Sequence, residues 1–491
     1  MEIDCKVLFV SPEAVPFAKT GGLADVSGSL PKYLKKLGCD VRIVLPFYRM
    51  VRELRLPYET IVKVLEVPSK DGILKAEINQ VLLDGNVPVY FITYDTFYDR
   101  ESLYGTSKGD YHDNAERFIF FCRAVLELCL RVNFQPDIIH CNEWQTGLVP
   151  AYLKTLYKND QFFSQTATVY TIHNIAYQGI FEKETFEKTC LPEGVFCDTG
   201  IEYYGKINFM KAGIIYSDII NTVSRKYSEE IQTEEYGCGL QNIMKERADI
   251  LFSVINGVNY NEWNPETDTF ITANYNRNNT SGKMLCKQDL LLQFKLPLSL
   301  MERPLFGIIS RLAEQKGIDL LGETIDRLMA FNVGFVLLGV GEERYQRLFQ
   351  NFAYRYPERI GVRIAYDNPL AHKIEAGVDI FLMPSRFEPC GLNQIYSLRY
   401  GSIPIVRATG GLDDTVKDYE QENGAGNGFK FTEYKTSAFL EKMKEALDIF
   451  TNKEVWSQLM QKAMSEDFSW EISAKKYLEL YKKAQSRLRL R

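Results

Sequence analysis

The sequence predicts an α/β protein made of two Rossmann-like, doubly wound domains facing a central cleft. Three observations predict it. Short apolar runs that read as buried parallel strands alternate with helical stretches along the chain. The series occurs twice, on either side of a segment rich in Asn, Gly and Pro at Asn256–Pro265. The length of 491 residues also exceeds one core, because single cores stop growing near ~250–300 residues.

The elements follow in order. Lys6–Val10 reads as a strand and Ser11–Gly22 as a loop. Ala24–Leu37 reads as a helix with Val26, Leu30, Leu34 and Leu37 on one face, kinked at Pro31 and ended by Gly38. Further strands are expected at Val41–Leu45, Val89–Thr93, Ile138-Ile139 and Ala167–Ile172, with a long apolar helix at Arg117–Arg131. Strands alternating with helices imply a parallel sheet. The second series gives strands at Leu305–Ile309, Val333–Val340, Val362–Tyr366, Asp379–Met383 and Ile403–Val406, and a helix at Leu392–Tyr400. A last amphipathic helix starts at Asp467–Trp470, where Asp or Ser is a suitable N-cap. The expected domains are 1–255, 256–466 and a terminal helix, 467–491. Ligand is expected between the two crevices, whose closure would exclude water.

Composition narrows the function classes. Apolar content of 45% and charged content of 25% fit an ordinary globular protein. The net charge is −6, and basic residues cluster only at Arg487, Arg489 and Arg491, so nucleic acid is not an expected partner. No apolar run approaches the ~18 residues of a membrane span. The acidic start, Met1–Lys6, reads as neither a signal nor a transit peptide. Ten cysteines without a C-x-x-C pair, and four histidines, argue against a metal centre and for reduced thiols in the cytoplasm.

Chemistry concentrates at strand ends. Glu388 lies in Met383–Leu392, between a buried strand and a helix whose first amides suit an anion. An acid beside an anion cradle points to a phosphorylated sugar donor; the plainer reading is a surface turn. Arg311 and Lys316, five residues apart after the first strand of the second domain, form a candidate diphosphate clamp. In the first domain, Lys19 with the Gly21-Gly22 pair lies on the first strand-to-helix loop. His173 and Asn174 end another strand as possible sugar ligands. Glu143, after the strand Ile138-Ile139, either faces the same crevice or is the N-cap acid of the next helix. Thr409–Thr415 holds a second glycine pair, near the donor or in a simple tight turn. No G-x-S-x-G, Walker loop or G-x-G-x-x-G is present.

Together these strings resemble the bacterial glycogen synthases and plant starch synthases. The resemblance runs through Lys19–Val26, His140–Leu148, Thr171–Gly179, Asn221–Ser224, Asn256–Pro265, Ser310–Gly317, Leu382–Leu392, Leu398–Gly401, Thr409–Val416 and Asp467–Trp470. It implies the GT-B fold and a retaining, metal- and cofactor-free transfer of glucose from ADP-glucose to the non-reducing end of an α-1,4-glucan. It also implies site residues. Glu388, Arg311, Lys316 and His173 would be catalytic. Lys19, Gly21, Gly22, Asp25, Glu143, Asn174, Asn256, Tyr366, Cys390, Gly391, Leu392 and Asn393 would bind substrate, with Tyr366 stacking on adenine. The final helix would cross back to the first domain. The chain departs from the family pattern at Asn142, Glu143 and Gln145, and at Asn393, which stands where Thr is usual. Tyr396 replaces the second Glu of the wider superfamily, as is normal for this branch. The alternatives are a transferase using UDP-glucose and a non-catalytic glucan-binding protein.

Overall fold

The computed structural model describes residues 5–106 and 108–489; Met1–Asp4, read above as an acidic start, and Arg491 of the basic cluster lie outside the described residues. The chain forms two compact units. Unit 1 takes the chain up to Val223, Ser228–Gly257, and Trp470 onward; unit 2 takes Ser224–Tyr227 and Val258–Ser469.

In unit 1 the strands are β1 (Lys6–Val10), β2 (Asp40–Pro46), β3 (Glu59–Ser69), β4 (Gly72–Leu83), β5 (Val87–Thr93), the short pair β6 (Gly105–Thr106) and β7 (Gly109–Asp110), β8 (Ile138–Asn142), β9 (Ala167–Ile172), β10 (Ile180–Phe181), β11 (Glu202–Tyr203), β12 (Lys206–Asn208), β13 (Ile219–Thr222) and β14 (Leu251–Ser253). Nine of them form one sheet in the order β14-β13-β9-β8-β1-β2-β5-β4-β3, and β10-β12-β11 form a small separate sheet. The strands β1, β8 and β9 are buried almost throughout, which is why they read as unbroken apolar runs.

The large sheet is mixed, not wholly parallel as the alternation of strands and helices implied. The strands β3 and β4 are antiparallel to each other, and β4 is antiparallel to β5. Gly72 (φ 122°) turns the chain straight back, so no crossover helix is needed. Val64 and Ile73 remain exposed on this hairpin, as expected for antiparallel strands with one face in solvent.

The first helix spans Gly22–Lys36 with Pro31 inside it, starting two residues before the expected position. The last helix, Trp470–Arg489, packs within unit 1. Tyr481 and Tyr477 are fully buried there, and the His140 ring bridges Tyr481 Oη (2.8 Å) and Thr171 Oγ1 (2.7 Å).

Unit 2 contains β15 (Leu305–Ile309), β16 (Gly334–Leu338), β17 (Ile360–Arg363), β18 (Ile380–Met383), β19 (Ile403–Arg407) and β20 (Phe429–Phe431). They form one parallel sheet in the order β17-β16-β15-β18-β19-β20. Each face carries its own core. Phe306, Ile308, Leu382 and Ile405 pack on one side; Leu305, Leu338, Phe381 and Val406 pack on the other. This is the two-faced burial of a doubly wound sheet. The strand expected to reach Tyr366 ends at Arg363, and Tyr366 lies in the following loop. Asp367 accepts from Leu370 N there and caps the next helix.

Candidate active site

Both sheets reverse strand order beside their first strand. In unit 1 the chain adds β2 on one side of β1 and later β8 on the other; in unit 2 it adds β16 on one side of β15 and later β18 on the other. Ligands of open α/β sheets bind at such switch points, outside the carboxyl ends of the strands. The loops after β1 and β8 carry Lys19–Asp25 and Glu143. Those after β15 and β18 carry Arg311–Lys316 and Glu388.

In unit 1, Lys19 Nζ meets Asp25 Oδ1 at 2.7 Å, and both side chains are partly exposed. The glycine loop they frame is organised by Glu13, a buried acid that sequence reasoning missed. Its carboxylate accepts Thr20 N (2.5 Å), Thr20 Oγ1 (2.6 Å) and Tyr104 Oη (2.7 Å). The only sequence signal for Glu13 is an acid three residues after a buried strand, inside an apolar loop.

Glu143 has a left-handed backbone (φ 65°), uncommon for a residue with a side chain and often found where function holds a strained conformation. It does not cap its own helical turn through its side chain. Its Oε1 instead accepts His173 N at 2.6 Å and Asn174 N at 2.9 Å. The N-cap reading therefore does not hold, and the carboxylate is turned to the backbone of His173 and Asn174, a contact that the sequence did not show. Burial pushes the Glu143 carboxyl up to about 8, against the pull of those two amides, and the Glu13 charge adds to the rise. His173 Nε2 lies 3.0 Å from Asn142 Oδ1, while Asn142 Nδ2 donates to Val10 O. Oδ1 can only accept, so Nε2 carries the ring proton and Nδ1 is left as an acceptor. Desolvation holds the His173 imidazolium well below the usual histidine range. His173 is therefore a neutral hydrogen-bonding group at pH 7.

In unit 2, Lys316 Nζ meets Glu388 Oε2 at 2.5 Å, and Ser385 Oγ donates to the same oxygen at 3.1 Å. Glu388 is buried (6% exposed). Gly317 makes the approach possible. It has φ 70°, and a Cβ there would stand 2.0 Å from Pro384 O. Arg311 is exposed and donates to Gln315 Oε1 (3.2 Å). Arg311 and Lys316 thus share a loop, but Lys316 is joined to Glu388.

The helix Asn393–Tyr400 begins after Leu392, which supplies no side-chain cap. Cys390, Gly391 and Leu392 lead into its first turn, held by Gln394 Nε2 on the carbonyls of Cys390 (3.0 Å) and Gly391 (3.1 Å). Gln394 is a second residue the sequence reading passed over. Asn393 Nδ2 donates to Ile309 O (2.8 Å), so its side-chain donor is turned to β15. The glycine pair Gly410-Gly411 lies against this segment: a Cβ on Gly411 would stand 2.0 Å from Cys390 O.

Two expected residues stand apart from these sets. Tyr366 is 81% exposed beyond β17. Asn256 is buried in unit 1, and its Oδ1 has no hydrogen-bond partner. Among the described residues, no three His, Cys, Asp or Glu side chains cluster as a metal site, and no helix is long and apolar enough to cross a membrane. None of the ten cysteines forms a disulfide.

Two Rossmann-like units with polar groups at both switch points define a glycosyltransferase of the GT-B class. The comparisons narrow the class. Residues 6–246 match the model of the starch synthase catalytic domain, and residues 293–461 that of glycosyl transferases group 1. A glycogen synthase of Koribacter versatilis is 48% identical over 480 residues, covering 98% of each chain. One of Thermotoga maritima is 46% identical over 490 residues, covering 98% of this chain and 99% of its own. The catalytic domain of starch synthase IV from Arabidopsis thaliana, solved with ADP and acarbose, superposes with a TM-score of 0.90 at 34% identity, covering 99% of this chain and 100% of that one. A sucrose-phosphate synthase of Thermosynechococcus elongatus shares the fold alone, with a TM-score of 0.61 at 15% identity. The chain belongs to the glycogen synthase family and is a hexosyltransferase that elongates glucan chains.

Proposed function

We propose that this enzyme transfers glucose from ADP-glucose to the non-reducing end of an α-1,4-glucan with retention at the anomeric carbon, without a metal ion, in the cytoplasm. The observation that carries this reading is the Lys316–Glu388 pair beside the uncapped helix start at Cys390–Asn393. That arrangement offers cations and amides to a leaving diphosphate and a carboxylate to a sugar cation.

Arg311, Lys316 and the amides of Cys390, Gly391, Leu392 and Asn393 take the diphosphate. Tyr366 stacks on adenine; its 81% exposure leaves the ring face available. Lys19 and the amides of Gly21 and Gly22 meet the donor phosphate, with Asp25 holding Lys19. Glu143, His173 and Asn174 hold the transferred glucose, and His173 accepts a sugar hydroxyl at Nδ1. Asn256 contributes its unpartnered Oδ1. The bond from C1 to the β-phosphate oxygen breaks as the acceptor O4 bonds to C1 on the same face. The acceptor proton passes to the departing phosphate. Positive charge on the ring is met by Glu388, negative charge on the phosphate by preorganised donors.

Incorporation of labelled glucose into glycogen, measured with ADP-glucose and UDP-glucose in parallel and with chelator present, tests the reading. Metal-independent transfer from ADP-glucose is expected. Preference for UDP-glucose would move the enzyme to the first alternative, and glycogen binding without transfer to the second.

A further inference from the structure

The turn between β11 and β12 contains a residue that the fold does not need. Tyr203 pairs with Lys206, so Tyr204 and Gly205 are the two central residues of the hairpin. Both have positive φ, 50° and 79°. Turns of this kind favour Asn-Gly or Asp-Gly, because a side chain with a Cβ is strained there and Asn or Asp tolerates the strain best. Tyr204 gains no burial in return: it is 82% exposed.

The Tyr204 ring nevertheless rests against a neighbour that is itself held in place. Tyr203 meets it edge to face, with centroids 4.7 Å apart. Tyr203 Oη donates to Cys238 O (3.1 Å), and Gln178 Nε2 donates to the same carbonyl (2.8 Å). Gln178 Oε1 in turn accepts from Asn208 Nδ2 (2.7 Å) on β12. The hairpin is thus bolted to the loop that begins with His173 and Asn174, and that loop carries a second outward tyrosine, Tyr177, 55% exposed. The ion pair of Lys206 with Glu182 (2.7 Å) adds polar groups on the same small sheet.

An exposed aromatic ring on a strained turn, set edge to face against a held tyrosine and beside polar groups, fits the C–H faces and hydroxyls of pyranose rings. We propose that Tyr204 is a binding platform on unit 1 for the sugar rings of the α-1,4-glucan acceptor, beyond the residues assigned to the transferred glucose. This rests on the reading given above.

Tyr204→Asn is the informative variant, since Asn suits the turn and its fold should be at least as stable as the parent's. Its mobility through a native gel containing glycogen should report about fivefold weaker affinity, the scale of one lost ring contact. KM for glycogen should rise with it while KM for ADP-glucose stays the same; Tyr204→Phe should restore both. Unchanged glycogen affinity in Tyr204→Asn would overturn the proposal. So would a lower melting temperature of that variant, because it would show a structural reason for Tyr204. Absence of glucose transfer by the parent enzyme would count against the proposed function instead, and the gel would still decide the platform.

Discussion

Glu143 is protonated at neutral pH because the cost of burying its charge exceeds the help of two backbone amides. An acid whose pKa is raised on folding loses stability as pH rises between its unfolded and folded values. Here that window runs from about 4.5 to about 8, with a slope of at most about 1.4 kcal/mol per pH unit. Glu143→Gln keeps an acceptor for His173 N and Asn174 N but cannot ionise. The variant should match the parent near pH 5 and exceed it increasingly toward pH 8, as read from urea midpoints. A parent and variant that stay parallel across that range would remove the buried-proton argument. Lys316→Ala should cut turnover by about 10²–10³, the scale of one lost transition-state donor. It should also destabilise the fold, because Glu388 is left as a buried charge without its cation. Adding Glu388→Gln should return stability but not turnover; near-parental turnover in Lys316→Ala would end the clamp assignment. Acids at strand ends such as Glu143 and Glu388 were legible in the sequence because their neighbours mark the strand and the turn. Their partners were not, since the contact of Lys316 with Glu388 spans 72 positions of sequence.

At the scale of elements, the switch-point loops are shaped by residues that touch no expected ligand. Glu13 gathers two donors of Thr20 and the hydroxyl of Tyr104 onto one carboxylate. Bonds to a charged acceptor contribute about 1.5–3 kcal/mol each, so the glycine loop after β1 owes its shape largely to this residue. Glu13→Ala should raise KM for ADP-glucose about tenfold or more, the effect of losing one such bond's ordering. Glycogen affinity should change little. An unaltered donor KM would show that the loop is ordered by its glycines and helix start alone. The buried parallel strands were legible because both faces are covered and every residue is apolar, as in Val7–Val10 and Ile380–Met383. The hairpin of β3 and β4 was overlooked because its half-exposed strands carry Lys and Glu on the wet face. The short hairpin of β11 and β12 has strands of two and three residues, too short for any periodicity to show.

At the scale of the whole chain, unit 1 is assembled from segments far apart in sequence, and this bears on how it must be tested. The composition change at Asn256–Pro265 is visible in the sequence, and the structure passes from unit 1 to unit 2 between Gly257 and Val258. A fragment ending at Gly257 therefore looks like a natural piece, yet it would lack the helix Trp470–Arg489. Trp470, Tyr477, Leu478, Leu480 and Tyr481 of that helix are each less than 9% exposed. Burying five large side chains at about 1.5–3 kcal/mol each contributes on the order of 10 kcal/mol, comparable with the entire ~5–15 kcal/mol stability of a typical domain. Without Tyr481, the buried His140 ring also loses a hydrogen bond, and its desolvated imidazole, held down to about 3, has one fewer reason to stay in place. The fragment 1–257 alone should show no cooperative unfolding transition by circular dichroism. The same fragment joined through a flexible linker to residues 470–489 should show one. Its stability should fall as pH drops from about 6.5 toward about 3, because unfolding then lets His140 take up a proton that the folded core refuses. A cooperative transition in the fragment without the helix would mean that the large sheet is self-sufficient and that the last helix only covers it.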